Sequence, residues 1–250
     1  MMNSAELKNI AEAERHFWWY RGMRGIVFAL LDPLVKTRSV RNALEAGCGT
    51  GFNALEFQRR YGWNVYPIDL QPEALAYARR SGAARLAQAD VSALPFPSGA
   101  FDAVISLDVL VYFARGTEGG ALAELSRVLK PGGLLVLRVA ALEILRSRHS
   151  EFTHERQRFT AKQLAPALAS YGLRVLRCTY ANTLLFPIAL AKFRLWEPLL
   201  RRPPQSGVLS TSGLMNRLLS VPLATESAWL RGGWNLPLGQ SLILIGEKQA

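Results

Sequence analysis

The sequence predicts an α/β protein in which helices cover both faces of a mostly parallel sheet. Short apolar runs alternate with helix-length amphipathic segments, and a glycine-rich turn joins the first apolar run to a helix. Half of the 250 residues are hydrophobic, which is enough to bury one substantial core. Because parallel strands are joined by crossover connections that are usually helices, this alternation favours a parallel sheet.

Seven strands are expected along the chain. They are the segments 42–45, 64–68, 85–89, 101–106, 134–140, 173–180 and 241–246. The helices expected between them are 54–61, 72–81, 119–129 and 161–171. Apolar composition favours the strands, and the turn Lys130-Pro131-Gly132-Gly133 interrupts the chain before the fifth one.

We expect a single domain with elaborations. Its expected parts are an N-terminal helical cap (1–40), a ligand-binding core (41–180), a helical insertion or lid (181–240) and a last strand (241–250). The insertion contains two amphipathic segments, 184–200 and 214–230, joined by a Pro203-Pro204 loop. A connection of about sixty residues is far longer than most, and such connections are usually functional.

Composition limits the classes of function. The 30 Lys and Arg against 19 Asp and Glu give a formal charge of +11, which attracts anionic partners. Nucleic acid is disfavoured, because the basic residues occur as scattered pairs such as Arg59-Arg60 and Arg201-Arg202 without interleaved aromatics. Two cysteines are too few for a disulfide framework, and no His and carboxylate spacing specifies a metal site. We expect a cytoplasmic protein, since the sequence shows neither a signal region nor a membrane-spanning window.

The turn after the first strand reads Glu45-Ala46-Gly47-Cys48-Gly49-Thr50-Gly51. Glycines permit a positive φ and let a ligand approach the backbone closely. Dinucleotide-binding dehydrogenases use G-x-G-x-x-G, whereas this turn is E-x-G-x-G-x-G. The acid before the glycines would repel a pyrophosphate and attract the ammonium of a methionine moiety. The spacing therefore favours a sulfonium nucleoside over a nicotinamide cofactor.

Two further acids stand at strand ends. Asp69 lies 18 residues beyond Gly51, where a carboxylate can accept hydrogen bonds from both ribose hydroxyls. The alternative is that Asp69 caps the helix that follows. Asp90, with Val91, ends the third strand and suits the amino group and apolar face of an adenine; a turn acid is the alternative there.

At these residues the sequence resembles a known family. The segments ALEAGCGTG, IDLQPEALAYAR, QADVSALPFPSGAFDAVISLDVL and SRVLKPGGLLVL resemble four motifs of the class I methyltransferase superfamily, in the family's order and spacing. The similarity extends from Ala43 to Val139 and is strongest to the branch with ubiquinone, menaquinone and natural-product methyltransferases. It implies a Rossmann-like seven-stranded sheet, S-adenosylmethionine as cofactor and S-adenosylhomocysteine as product.

Residue by residue, the resemblance also implies a cofactor site. Its members are Glu45, Gly47, Cys48, Gly49, Gly51, Asp69, Leu70, Asp90, Val91, Leu107 and Asp108. The chain departs from the family after the fourth strand, where Val111-Tyr112 replaces a frequent Glu-His or His. Enzymes that methylate amines of nucleic-acid bases carry Asp or Asn-Pro-Pro-Tyr at the fourth strand, and the different sequence Ser106-Leu107-Asp108-Val109 further disfavours nucleic acid.

Residues for the substrate come from less specific patterns. Trp19 and Tyr20, in the aromatic run His16 to Tyr20, are candidates to contact a sulfonium by cation–π attraction; ordinary helix packing is the alternative. The catalytic candidates are His16, Tyr112 and His154. Arg158 is a candidate for an anionic group of the substrate. For His154, a surface position in a polar loop is the alternative.

The sequence thus predicts an S-adenosylmethionine-dependent methyltransferase acting on O, N or C of a small, apolar metabolite with an anionic group as an option. One alternative is a lipid-linked or saccharide intermediate at the membrane surface, with the segment 184–200 as a lid or as a peripheral contact to anionic lipid. Another is a scaffold that binds the cofactor without turnover. The oligomeric state stays open.

Overall fold

The protein, studied as a computed structural model, is described for residues 2–200, 203–208 and 212–250. The strands are β1 (Asn42–Ala46), β2 (Asn64–Asp69), β3 (Ala87–Gln88), β4 (Phe101–Leu107), β5 (Leu129–Ala140), β6 (Leu173–Ala181) and β7 (Ser241–Lys248). The helices are α1 (Ser4–Ala13), α2 (Trp18–Val35), α3 (Phe52–Tyr61), α4 (Pro72–Arg80), α5 (Gly119–Arg127), α6 (Arg148–Phe152), α7 (Ala161–Ser170), α8 (Phe186–Ala191), α9 (Glu197–Leu200) and α10 (Gly213–Arg231). The pair Arg201-Arg202 lies outside the described residues.

The seven strands form one sheet in the order β3-β2-β1-β4-β5-β7-β6. β7 runs antiparallel to both of its neighbours, and the pairs among β1 to β5 are parallel. Central strands have helices on both faces, so side chains that point in opposite directions, such as Val104 and Ile105, are both fully buried. The predicted α/β class with a mostly parallel seven-stranded sheet is confirmed.

Two strands differ from their predicted bounds. β3 is only two residues long, because Arg85 adopts a left-handed φ of 55° that no extended strand accommodates. β5 begins at Leu129, which pairs with Phe101, while Leu134 pairs with Ala103. The four residues between these pairs bulge out of the ladder, so the predicted turn interrupts β5 without ending it.

The N-terminal cap consists of two helices. α2 packs along α10 from the insertion, and the contact is close: a Cβ on Gly22 would lie 2.3 Å from Leu223 Cδ1. The Trp18 backbone N–H donates to Asn216 Oδ1 at 3.0 Å, and Ser227 Oγ donates to the Gly25 carbonyl at 3.2 Å. The cap and the insertion are therefore joined directly.

The insertion between β6 and β7 contains α8, α9 and α10, and its first segment is not one regular helix. α8 passes into a π-helical turn at Lys192–Trp196 and then into α9. The carboxylate of Glu226 in α10 accepts the backbone N–H groups of Asn182 and Leu184 at 2.7 and 2.8 Å, which fixes the exit from β6. Within the described part of the chain, no helix is long and apolar enough to cross a bilayer.

Candidate active site

A cavity of about 780 Å³ opens at the carboxyl ends of β1, β2 and β4. The strand order reverses at this point, which is where open α/β sheets bind ligands. The turns after the three strands form its floor, and residues of the cap and insertion, including Trp19 and Phe193, cover it. Its volume falls in the range of small-molecule sites.

The three glycines of the turn after β1 have different structural roles. All have positive φ values, 82° at Gly47, 54° at Gly49 and 75° at Gly51. A Cβ on Gly47 would lie 2.2 Å from Val109 Cγ2, and one on Gly51 would lie 2.6 Å from Ala78 Cβ. A Cβ on Gly49 would meet no atom within 4 Å. Gly49 therefore lines open space in the cavity, whereas Gly51 allows α3 and α4 to pack and does not line the cavity.

Asp69 links the first two turns. Its Oδ2 accepts the Gly49 backbone N–H at 2.8 Å, and its Oδ1 accepts the Gln71 backbone N–H at 2.9 Å. Gln71 is the N-cap of α4, so the capping interpretation of Asp69 is part of its role. Each carboxylate oxygen has a second lone pair, which leaves Asp69 able to accept from a ligand in the cavity as well.

Three carboxyl groups stand close to the glycine turn. Burial raises the pKa of Glu14 to about 7, although Thr50 Oγ1 donates to its Oε2 at 2.5 Å and Arg24 opposes the rise. Burial, and then the charge of Glu14, hold the pKa of Glu45 well above its ordinary value. Burial also raises the pKa of Asp69. The turn is thus a site of unfavourable negative charge, which a cation would relieve.

Glu45 lies behind the turn and does not line the cavity. It accepts the Ala54 backbone N–H, and its Oε2 has no hydrogen-bond partner among the described residues. A direct contact between this carboxylate and a ligand ammonium is therefore absent from the geometry. Glu14, brought to the same turn from the end of α1, does line the cavity.

Leu70, Asp90 and Val91 line the end of the cavity beside β2 and β3. Val91 is buried and Asp90 exposed. Asp90 Oδ1 accepts both the backbone N–H and the hydroxyl of Ser92, at 2.8 and 2.7 Å, so Asp90 forms a turn here. This end offers an apolar wall with an acid at its edge.

Comparison with known proteins follows this geometry. Residues 44–137 match the family model described as a methyltransferase domain. The chain is 42% identical over 110 residues to demethylmenaquinone methyltransferase of Thermus thermophilus, covering 42% of this chain and 49% of that protein. It is 38% identical over 118 residues to malonyl-[acyl-carrier protein] O-methyltransferase of Enterobacter lignolyticus, covering 47% of this chain and 45% of that protein. The chain spans about half the length of these curated relatives.

Over residues 44–137 the protein is thus similar to the class I S-adenosylmethionine-dependent methyltransferase superfamily. The fold agrees over a longer stretch. Phosphoethanolamine N-methyltransferase 2 of Haemonchus contortus, solved with S-adenosyl-L-methionine, superposes with a TM-score of 0.57 at 18% identity, covering 90% of this chain and 52% of that one. At that identity the likeness concerns the fold alone, and it extends beyond the methyltransferase domain into the cap and the insertion.

On the floor of the cavity, an ion pair follows β4. Asp108, next to Leu107 in the lining, adopts a left-handed φ of 60° and accepts from Arg138 Nη2 at 2.5 Å. The Arg138 guanidinium also lies 5.1 Å from the ring centroid of Trp19. The strained backbone of Asp108 is held by this contact, and Trp19 is attached to the sheet through it.

The aromatic run of the cap does reach the cavity. Phe17, Trp18, Trp19 and Tyr20 all line it, with Trp19 and Tyr20 packed edge to face at 5.1 Å. Burial, reinforced by Glu6 and Glu14, raises the pKa of the Tyr20 phenol. The Tyr20 phenol therefore keeps its proton at neutral pH, and its hydroxyl can donate or accept a hydrogen bond.

The three catalytic candidates from the sequence differ in their position relative to the cavity. His16 and His154 are exposed and do not line the cavity, and His154 sits in a turn with a φ of 63°. Both placements correct the sequence prediction: the polar-loop alternative describes His154. Tyr112 does line the cavity, but burial raises the pKa of its phenol, so it is a hydrogen-bond donor there and not a base.

His149 lines the cavity instead of His154. Its Nδ1 accepts the Gly207 backbone N–H at 2.8 Å, which places the proton of the neutral ring on Nε2. Burial lowers its pKa, with Glu6 opposing the shift. A residue in the loop before α10 therefore orients this imidazole.

Arg158 lines the cavity but its charge is already paired. It donates to Glu155 Oε1 at 2.6 Å, to the Ala141 carbonyl at 3.1 Å and to Ser150 Oγ at 3.1 Å. It therefore holds the segment after β5 in place. No cluster of three or more His, Cys, Asp or Glu side chains suited to a metal ion occurs in the described ranges.

Sequence reasoning missed Glu14, Arg138 and His149. Glu14 reaches Thr50 across 36 positions of the chain, so no local spacing could reveal the contact. Arg138 offered a signal, because a charged residue near the end of a strand that is otherwise apolar needs a partner. His149 stood in a polar segment and gave no distinguishing pattern.

Proposed function

We propose that this chain is an S-adenosylmethionine-dependent methyltransferase that transfers a methyl group to O, N or C of a small, apolar metabolite. The observation that carries the proposal is the glycine turn on the floor of a large cavity, where three buried carboxyl groups lie close together. Burial raises the pKa of Glu14, Glu45 and Asp69 beside this turn, and a cation in the cavity would stabilise the ionised forms of Glu14 and Asp69, which line it.

The cofactor fits this environment. S-adenosylmethionine brings a methyl group activated by a positively charged sulfur, together with an ammonium and a carboxylate. Glu14 would face the positive groups, and Arg24, which lines the same end of the cavity, would face the carboxylate. Gly49 leaves room at the backbone, Asp69 would accept from the ribose hydroxyls, and Val91 with Leu70 would contact the base.

The residues of the chain then act mainly by positioning and by excluding water. Alignment of a nucleophile with an activated methyl can contribute about 7 to 11 kcal/mol. Trp19, fixed over Arg138, and Tyr20 close the side of the cavity that faces the cap. His149 Nε2–H and the Tyr112 hydroxyl would donate hydrogen bonds to a polar group of the acceptor.

The acceptor is expected to be largely apolar. The cover contributes Leu185, Ile188, Phe193 and Trp196 to the lining. Arg138 and Arg158 are paired with acids, so Arg148 and Lys192, which also line the cavity, are the candidates for an anionic group of the acceptor. A lipid-linked acceptor at a membrane surface is the second candidate, favoured by exposed apolar side chains at the same rim. The open cavity speaks against a scaffold filled by its own side chains.

Titration calorimetry with S-adenosylhomocysteine tests the cofactor assignment. We expect Asp69→Ala to weaken binding by about ten- to a hundredfold or more, since each lost charge-assisted bond is worth roughly 1.5 to 3 kcal/mol. Asp90→Ala serves as a milder comparison. Absence of binding by the unaltered chain, or displacement by nicotinamide cofactors, would refute the proposal. Mass spectrometry of a metabolite extract would then identify acceptors by the gain of one CH₂ unit.

The two cysteines, Cys48 and Cys178, are both unpaired. We propose on this basis that the enzyme works in a reducing, cytoplasmic environment.

A further inference from the structure

The helical insertion carries most of the apolar surface that this chain exposes. Of fifteen large apolar side chains exposed in the described residues, thirteen lie between positions 181 and 240. Seven of them, each more than half exposed, are Ile188, Leu195, Trp196 and Leu199 in the segment from α8 to α9, and Leu214, Leu218 and Val221 in α10. We call these seven side chains the apolar face. Exposed apolar side chains concentrated in one part of a chain in this way mark an interaction site.

The charges around the apolar face have one sign. Residues 181–240 contain six basic and two acidic side chains. Both acids are engaged inward: Glu226 is buried on the backbone of Asn182 and Leu184, and Glu197 accepts the Arg148 backbone N–H at 3.0 Å. Lys192, Arg194 and Arg217 are exposed among the apolar side chains. The partner must therefore be apolar and anionic at once.

The apolar face is continuous with the cavity. Ile188 and Trp196 belong to it and also line the cavity, and Leu219 of α10 lines the cavity from the other side. Any partner that covers the apolar face therefore covers the cavity rim. A second copy of this chain is a poor partner, because a symmetric contact would bring the same basic residues together.

We propose that the apolar face, with Lys192, Arg194 and Arg217, binds the surface of an anionic lipid bilayer. Leucine and tryptophan side chains enter the boundary between headgroups and acyl chains, and the basic side chains meet the anionic headgroups. The cavity rim then faces the lipid, so that an apolar acceptor can enter from the bilayer. This last step rests on the proposed function; binding to the bilayer does not.

Flotation of the full chain with vesicles tests the proposal. Vesicles of equal parts phosphatidylcholine and phosphatidylglycerol are compared with vesicles of phosphatidylcholine alone. We expect the chain to float with the anionic vesicles only, and to do so less as salt is raised. The double variant Leu195→Glu/Leu199→Glu should bind at least about tenfold more weakly, since both side chains then resist burial in lipid.

A pair of charge reversals supplies the matched control. Arg217→Glu in α10 and Arg79→Glu in α4, at the β3 edge of the sheet, change the net charge equally. We expect about tenfold weaker binding from the first and little change from the second, because headgroup attraction acts over roughly one Debye length. Equal effects of the two reversals, or undiminished flotation of the leucine double variant, would overturn the proposal.

Two measurements distinguish binding to the bilayer from the proposed function and from dimerisation through the apolar face. S-adenosylhomocysteine binding by the double variant shows that its fold and cofactor site are intact. Flotation without any cofactor binding by the unaltered chain would refute the proposed function and leave the lipid contact standing. Dimerisation in the absence of lipid that the double variant abolishes would assign the apolar face to a second copy and overturn the bilayer contact.

Discussion

Replacement of Glu14 by Gln should stabilise the chain and weaken its cofactor site. Burial raises the pKa of Glu14 from 4.5 to about 7. In the unfolded chain the carboxyl ionises near the lower value, so between these pH values the folded state holds a proton that the unfolded state has lost. The free energy of unfolding therefore falls as pH rises through this window. The full effect, above pH 7, corresponds to about 3 kcal/mol.

Glu14→Gln removes the charge and keeps an oxygen that can accept from Thr50 Oγ1. Without cofactor, we expect the free energy of unfolding of the variant to exceed that of the unaltered chain by less than about 1 kcal/mol at pH 5 and by up to about 3 kcal/mol at pH 8. Urea denaturation at several pH values, followed by tryptophan fluorescence, measures the difference. S-adenosylmethionine should bind the variant about ten- to a hundredfold more weakly at pH 8, because the loss of one charge-assisted contact costs roughly 1.5 to 3 kcal/mol.

Glu12→Gln is the matched control. Glu12 lies on the same helix, its side chain is 68% exposed, and its ion pair with Lys8 spans 4.0 Å. Surface pairs of this kind contribute about 0 to 1 kcal/mol, so stability and affinity should hardly change. The reasoning fails if the stability of Glu14→Gln parallels that of the unaltered chain across the pH range, or if the variant is the less stable protein at pH 8.

Three further predictions concern the site and the residues that support it. Gly51→Ala should lower the free energy of unfolding by about 2 to 5 kcal/mol, because the backbone at Gly51 is left-handed and the new Cβ would clash with Ala78. Gly49→Ala should lower it by only about 1 to 2 kcal/mol but should weaken the binding of S-adenosylhomocysteine. Denaturation and calorimetry must show this difference between the two variants. Glu226→Ala should lower the free energy of unfolding by about 2 kcal/mol or more and speed hydrogen exchange at the Asn182 and Leu184 amides. Glu226→Gln should partly restore the stability and the protection of these amides. Unchanged hydrogen exchange in Glu226→Ala would contradict the prediction. Asp108→Ala should lower the free energy of unfolding by about 2 kcal/mol because Arg138 stays buried without its partner. Adding Arg138→Met should restore much of that stability in a double-mutant cycle. Purely additive losses of stability would show that the pair is not coupled.

The sequence predicted those features that depend on local spacing. A glycine turn after a buried strand, with Asp69 at the end of the next strand, places both at one edge of a parallel sheet. Apolar runs such as 134–140 are stable only when buried, so the sequence already predicted that they form strands inside the sheet. The parts that failed depend on contacts between distant segments. Glu14 and His149 reach the cavity only through the packing of α1 and of the loop before α10.

Backbone detail was the other limit. The left-handed residue Arg85 shortens β3, and the π-helical turn at Lys192–Trp196 interrupts a segment whose amphipathic pattern is regular. Neither position carries a glycine or proline, the residues whose presence would have indicated an irregular backbone. Tertiary contacts select these conformations, and the apolar pattern on either side is unaffected by them.

The close contact between α2 and α10 has an evolutionary consequence. Gly22 and Leu223 lie two hundred positions apart, yet no side chain fits at position 22 while a leucine occupies position 223. A larger residue at position 22 therefore requires a smaller one at position 223, so related sequences should show the two positions covarying in size. The contact thus couples the residues tolerated in the cap to those tolerated in the insertion, although about two hundred positions separate the two.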